Sequence, residues 1–387
     1  MRLVTRRLWL ASGVVVVLAL AGIGPLLAQG RKGGGGSGGG TVSADHKGRQ
    51  ARPIPLGVSG GNANDVANGY CCSGTLGALV ESNGVQYILS NSHVFAGDTI
   101  ESAADLDMSL IGDPVTQAGL VDTACVVTSD DYVANVTTLS SLNTAGPSAV
   151  DASLAEVIEG KVDPSGAILE IGTIANVPLD PSLNLAVKKS GRTSGLTASS
   201  ISGLNATVTV SYSRECGGQA FTSSFTGQIV VANRSSKFLA AGDSGSLMVE
   251  NKSTNPRPVG LLYAGSSSVA IANPATDVLE YFSGLFETTF SFVGVTPPAS
   301  LQGTGQVTGT SHAVDVQNRN ARRLAAVPGA VGHAVGVPGN GNAAVIKVYV
   351  EEITDRARQA TPNTIEGVPV ILEEVGHIIG LGCSKAR

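Results

Sequence analysis

From Pro53 to about Phe282 the chain runs in short apolar stretches broken by glycine, asparagine, serine and proline. That pattern leaves little room for long helices. Thr75–Val80 and Val85–Ser90 read as strands joined by the turn Ser82-Asn83-Gly84, a hairpin signal. Thr207–Tyr212, Gln228–Ala232, Ser246–Val249 and Val259–Ala264 read as further strands. Charged residues are only 14% of the chain, whereas 50 glycines punctuate it, which again favours a turn-rich all-β body. Hydrophobic residues make up 42%, enough for a substantial core. A formal net charge of −5 supplies no basic footprint, so nucleic acid is excluded as an expected partner.

The flanking segments differ in texture. Arg2, Arg6 and Arg7 precede an apolar run from Leu8 to about Ala28, so residues 1–30 read as an export signal or a membrane anchor. Thr5-Arg6-Arg7-Leu8-Trp9-Leu10 looks like a twin-arginine signal, although paired arginines also occur in ordinary signals. Residues 31–52 contain the Gly33–Gly40 tract, broken only by Ser37, and read as a flexible linker. The folded body is expected over 53–290, with a short helix at Ala275–Phe282, and a Pro/Gly/Ser/Thr-rich linker over 291–310. Residues 311–387 read as a small α+β unit of unassigned role. Its expected order is helix Val316–Ala326, hairpin Val331–Val337 with Ala343–Val350, helix Thr354–Ala360 and strand Val368–Glu373. Cys71, Cys72, Cys125, Cys216 and Cys383 fit an oxidising compartment with one or two disulfides, of open connectivity.

Three short segments carry chemistry. His93 closes an apolar strand in Leu89-Ser90-Asn91-Ser92-His93, and Asp151 lies in the apolar context Ala149-Val150-Asp151-Ala152-Ser153-Leu154. Ser244 lies in Gly242-Asp243-Ser244-Gly245-Ser246, ahead of a strand. A serine hydroxyl becomes a useful nucleophile when a base takes its proton, and imidazole titrates near neutrality. A buried carboxylate fixes the imidazole tautomer and stabilises the imidazolium. Glycine beside the serine permits a tight turn that aims backbone amides at a developing oxyanion. Each segment alone has an ordinary structural explanation; their conjunction and order give them weight. Asp122 is the main rival to Asp151, with Asp105 and Asp107 weaker.

The body from about Pro53 to Phe282 resembles the chymotrypsin/trypsin-like serine peptidases exported by bacteria. Cys72-Ser73-Gly74-Thr75-Leu76 with Ile88-Leu89-Ser90-Asn91-Ser92-His93 resembles the family's histidine segment, and Val150-Asp151-Ala152-Ser153-Leu154-Ala155 its aspartate segment. Gly242-Asp243-Ser244-Gly245-Ser246 matches its nucleophile motif. Val259-Gly260-Leu261-Leu262-Tyr263-Ala264-Gly265 resembles the strand that flanks its specificity pocket. The resemblance implies two antiparallel β-barrels with the site in the cleft between them. It further implies a serine endopeptidase in which Ser244 is the nucleophile, His93 the general base and acid, and Asp151 the orienting carboxylate. The Gly242 and Ser244 amides would form the oxyanion hole, and Phe238, Ala264 and Gly265 would contact substrate.

Two departures are visible. Val94 stands where the family commonly has a disulfide cysteine, and no Ile-Val-Gly-Gly-type new N-terminus is present to pair with Asp243, which is expected to interact locally. An uncharged Phe238 argues against a preference for Lys or Arg side chains. The alternative is a catalytically silent or latent protein of this fold acting as an exported binding module. No cofactor or metal is expected, because His312, His333 and His377 lack zinc-ligand spacing. The expected partner is a peptide or protein substrate, with a membrane tether through residues 1–30 as a further option; oligomeric state is not legible.

Overall fold

The computed structural model describes residues 44–96, 111–142, 144–233, 237–297, 307–339 and 342–380. The N-terminal apolar run, the whole Gly33–Gly40 tract, Asp105, Asp107 and Cys383 lie outside the described residues. Among the described residues no helix is long and apolar enough to cross a membrane.

The chain is all-β in its body, with two curled antiparallel barrels. In the first sheet the strand order is Ser291–Phe292, Ala78–Ser82, Val85–Ser90, Ser153–Val157, Tyr132–Leu139, Pro114–Thr116, Val58–Asn62 and Gly74–Leu76. Gly74–Leu76 and Ala78–Ser82 stand near opposite ends of that order yet are joined by Gly77 alone, so the sheet curls upon itself. The strand expected at Thr75–Val80 is therefore broken at Gly77. The reason is steric: a Cβ there would lie 2.0 Å from the carbonyl oxygen of Gly245. The hairpin over Ser82-Asn83-Gly84 is as expected, with Asn83 and Gly84 at φ of 51° and 78°.

The second barrel is a six-strand circuit of Gly195–Ser213, Ala186–Gly191, Leu247–Glu250, Pro258–Gly265, Val269–Pro274 and Ala220–Ala232, closed by pairing of the last with the first. The expected strand Thr207–Tyr212 is the end of a much longer one, Gly195–Ser213. The helix expected at Ala275–Phe282 runs from Ala275 to Phe286. Its Ala275, Val278, Leu279 and Phe282 share one face and are buried on the first barrel's core.

Residues 307–380 form two helices, Thr310–Arg319 and Ala321–Ala325, then strands Ala330–Gly336 and Val345–Val350, helix Asp355–Ala360 and strand Val368–Glu374. The helix expected over Val316–Ala326 is thus two pieces that meet at Asn320. Strand Ala330–Gly336 pairs antiparallel with the middle of Gly195–Ser213, from Gly203 to Val208, so the second sheet continues into this unit. Helix Thr310–Arg319 is fastened there by Gln317. Its Nε2 donates to Nδ1 of His333 at 2.7 Å and to the Asn205 carbonyl at 3.0 Å. His333 is 2% exposed and its Nε2 has no partner among the described residues.

That burial lowers the His333 pKa to about 4 from its ordinary 6.5. Between those values the unfolded imidazole binds a proton that the folded one does not, so acidification favours unfolding. The stability lost from pH 7 to pH 4 through this group is on the order of 3 kcal/mol. Urea unfolding midpoints should fall across that window in the wild type and fall less in His333→Gln; parallel profiles would refute this account.

Candidate active site between the barrels

Pairing of adjacent strands brings the first two predicted residues together. Val85–Ser90 lies against Ser153–Val157 with Ser90 opposite Ser153. His93 follows one strand within the short helix Ser92–Phe95, and Asp151 precedes the other. The junction is stitched: Asn91 Nδ2 donates to the Asp151 carbonyl at 2.7 Å, Ser92 Oγ to the Ala152 carbonyl at 2.8 Å, and Ser153 Oγ to the Asn91 carbonyl at 2.8 Å. His93 Nδ1 and Asp151 Oδ2 lie 2.5 Å apart, with side chains 5% and 0% exposed. With Nδ1 as donor to the carboxylate, Nε2 is the acceptor; it is buried and has no partner among the described residues.

The second barrel completes the surroundings of Asp151. Tyr212 donates its hydroxyl to Oδ2 at 3.0 Å, and its ring sits 5.5 Å from that of His93. Burial, followed by the Asp151 charge, pushes the Tyr212 hydroxyl well above its ordinary pKa, so it stays a donor. Asn273 accepts from the Asp151 amide at 3.2 Å and donates to its carbonyl at 3.1 Å.

Ser244 lies on a loop shaped by two glycines. Gly242 and Gly245 have φ of 92° and 91°, and a Cβ on Gly245 would lie 2.2 Å from Ser90 Oγ and 2.3 Å from the Thr75 carbonyl oxygen. The first barrel grips the loop through Thr75, whose amide donates to the Ser244 carbonyl at 2.8 Å and whose Oγ1 donates to the Gly242 carbonyl at 3.0 Å. A Cβ on Gly74 would touch both Val94 and the Ser244 carbonyl oxygen, so the histidine and serine segments meet across that glycine. Ser244 is fully buried, and its Oγ donates to the Tyr263 carbonyl at 3.0 Å rather than to His93. Among the described residues neither the Gly242 nor the Ser244 amide meets an acceptor.

Asp243 binds locally. Its carboxylate accepts from the amides of Thr193, Ser194 and Ala240 at 2.8, 3.0 and 2.9 Å and from Ser194 Oγ at 2.5 Å. Lys189, buried at 0% exposure, places Nζ 3.3 Å from Asp243, while also donating to Ser194 Oγ and to the Gly195 carbonyl. Desolvation lowers the Lys189 pKa, and the Asp243 charge opposes that shift. Asp122, the rival to Asp151, is bound instead by Arg192 at 2.6 and 2.7 Å and by Ser59 Oγ at 2.5 Å. Phe238 is fully buried in the second barrel's core with Met248 and Leu262, and Ala264 and Gly265 end the strand after Tyr263.

Tyr212, Asn273, Lys189 and Tyr263 were not singled out in the sequence. Tyr212 and Lys189 each lie in an ordinary β pattern, and nothing local marks which distant carboxylate they reach. The cysteines pair as Cys71–Cys125 and Cys72–Cys216, and Cys216 ties the hairpin after Tyr212 to the first barrel.

Residues 57–273 match the family model described as the Nal1 C-terminal domain, which is more than half of the chain. The chain belongs to the Nal1 C-terminal domain family. No curated protein matches it by sequence. Among solved structures, it is similar to a glutamic acid-specific serine protease at 17% identity and a TM-score of 0.38, covering 62% of this chain and 100% of that one. Protease A of Thermobifida fusca gives 17% identity and a TM-score of 0.38 over 62% and 98% of the two chains. A chymotrypsin of Cellulomonas bogoriensis gives 15% and 0.34 over 58% and 91%. At these values no residue-by-residue correspondence follows.

The Lys189–Asp243 pair yields a direct expectation for this member of the Nal1 C-terminal domain family. Lys189→Met leaves a buried carboxylate without its cation and should cost about 3–5 kcal/mol in urea unfolding. Adding Asp243→Asn should recover part of that loss; a neutral single variant would show that the pair does not organise the loop.

Proposed function

We propose that the chain is a serine endopeptidase that hydrolyses peptide bonds through an acyl-enzyme. The observation that carries this reading is the buried His93–Asp151 pair, completed by Tyr212, with His93 Nε2 left without a partner among the described residues. A buried imidazole nitrogen with no partner is costly unless something is to bind there. The Ser244 hydroxyl is the natural donor to it, once rotation about its Cα–Cβ bond releases the Tyr263 carbonyl.

In this reading Ser244 Oγ attacks the scissile carbonyl carbon while His93 Nε2 takes its proton. Asp151 keeps the proton on Nδ1 and stabilises the imidazolium, and Tyr212 and Asn273 hold Asp151 in place. The free amides of Gly242 and Ser244 receive the oxyanion. His93 then returns the proton to the leaving amine as the C–N bond breaks, leaving an ester on Ser244. Water attacks that ester with His93 again as base, which releases the acid product and restores the hydroxyl. Two disulfides, together with the signal-like residues 1–30, support a location outside the cytoplasm. The alternative reading is a latent binding module, in which the Ser244 hydroxyl stays on the Tyr263 carbonyl.

Labelling of the purified protein by a fluorophosphonate probe tests the proposal. Wild type should label, and Ser244→Ala and His93→Ala should not. Asp151→Asn should slow labelling about 10³–10⁴-fold by favouring the wrong tautomer. A folded wild-type protein that does not label would instead support the binding module.

A further inference from the structure

Strand Pro258–Gly265 is paired on one edge with Val269–Pro274. Its other edge is covered by Leu247–Glu250 only as far as Leu261. Ala264 and Gly265 therefore extend beyond that partner, immediately after the carbonyl that holds the Ser244 hydroxyl. The chain fills this open edge with its own C-terminal strand. Ile379–Gly380 runs antiparallel to it, with Gly380 opposite Ala264 and Ile379 opposite Gly265. On its far side Ile379 lies parallel to Ser211, whose amide donates to the Ile378 carbonyl at 3.0 Å. Upstream, Ser266 Oγ donates to the Val375 carbonyl at 2.5 Å, and Val375 and Ile378 are each 1% exposed in the core that contains Tyr212 and Tyr263.

The contact at Gly380 is selective. A Cβ on this residue would lie 2.5 Å from both Cδ1 and Cε1 of Tyr212. The ring has little freedom to move away, because its hydroxyl is bound to Asp151, Phe221 stacks on it and the tilted ring of His93 lies beside it, each 5.5 Å away. Any side chain there must displace a ring that also braces the His93–Asp151 pair.

We propose that the Ala264–Gly265 edge, which the family resemblance already assigns to substrate, is occupied in the free chain by the chain's own strand Ile379–Gly380, and that Tyr212 restricts the ligand residue opposite Ala264 to glycine. The identification of the ligand as substrate rests on the peptidase reading above. The ligand class is an extended peptide carrying an apolar residue followed by glycine. Main-chain hydrogen bonds to the strand edge supply affinity, and the Tyr212 contact supplies selectivity.

The test uses the full chain and a fluorescent peptide Val-Gly-His-Ile-Ile-Gly, the sequence of residues 375–380. Gly380→Trp should expel the resident strand, and fluorescence anisotropy should then show the peptide binding at least tenfold tighter than to wild type. Replacing the peptide's last glycine by alanine or leucine should weaken binding at least tenfold. Ile379→Pro, which removes an amide from the strand, serves should Gly380→Trp fail to fold. In the unmodified chain, excess peptide should speed hydrogen exchange at Ile379 and Gly380. Equal binding to wild type and variant, indifference to the last glycine, or unchanged exchange would overturn the proposal. Fluorophosphonate labelling is read in parallel: labelling without peptide binding sinks the occupancy and spares the chemistry, and peptide binding without labelling does the reverse.

Discussion

The Asp151 carboxylate is the charge around which the molecule is assembled. It is fully buried on the first barrel and is bound by His93 from the first and Tyr212 from the second, while Asn91 and Asn273 hold the backbone of the same residue. An ionised carboxylate in such a place requires nearly every donor it can reach. Separating the barrels would take Tyr212 from the carboxylate and Asn273 from the Asp151 main chain together, so satisfaction of this one residue also fixes how the two halves meet. The same geometry sets the His93 ring and leaves its outer nitrogen unmatched among the described residues.

Lys189 and Asp243 perform a similar service for the loop that carries Ser244. Three amides converge on Asp243, which ties the turn at Ala240–Ser246 to Thr193 and Ser194, and among the described residues the neighbouring amides of Gly242 and Ser244 meet no acceptor. The cation comes from within the second barrel. A lysine on a strand is as constant a partner as the strand itself, which is why the loop holds its shape without an amine brought from elsewhere. Arg192 and Asp122 extend the brace from this barrel to the first.

Much of this was legible in the residues. Glycine-flanked Ser244, the strand ending at His93 and the apolar context of Asp151 each signalled a local conformation, and the strands around them followed from alternation and turn chemistry. Preference for Asp151 over Asp122 followed from the apolar neighbours of Asp151, and the bidentate arginine on Asp122 accounts for the other carboxylate. What could not be read were interactions between distant segments. Tyr212 looks like any aromatic at the end of a strand, and its hydroxyl acquires meaning only beside a carboxylate 61 residues away. The break at Gly77 depends on the approach of Gly245, and the disulfide partners depend on how the loops fall. The segment Val375-Gly376-His377-Ile378-Ile379-Gly380 gave no sign that it would complete a sheet edge.

Strand Gly195–Ser213 serves three neighbours along one edge: Ala186–Gly191 first, Ala330–Gly336 next, and Ile379 last, opposite Ser211. From Ala206 to Ser213 its side chains alternate between buried and partly or fully exposed, which places Tyr212 on the inner face. One residue gained or lost between Val208 and Ser211 would turn that alternation over and carry the tyrosine from the buried carboxylate to solvent. Individual side chains in this stretch are thus free to drift over evolutionary time in ways that its length is not. Relatives that keep the site should differ here by substitution and place their insertions in the turns at either end.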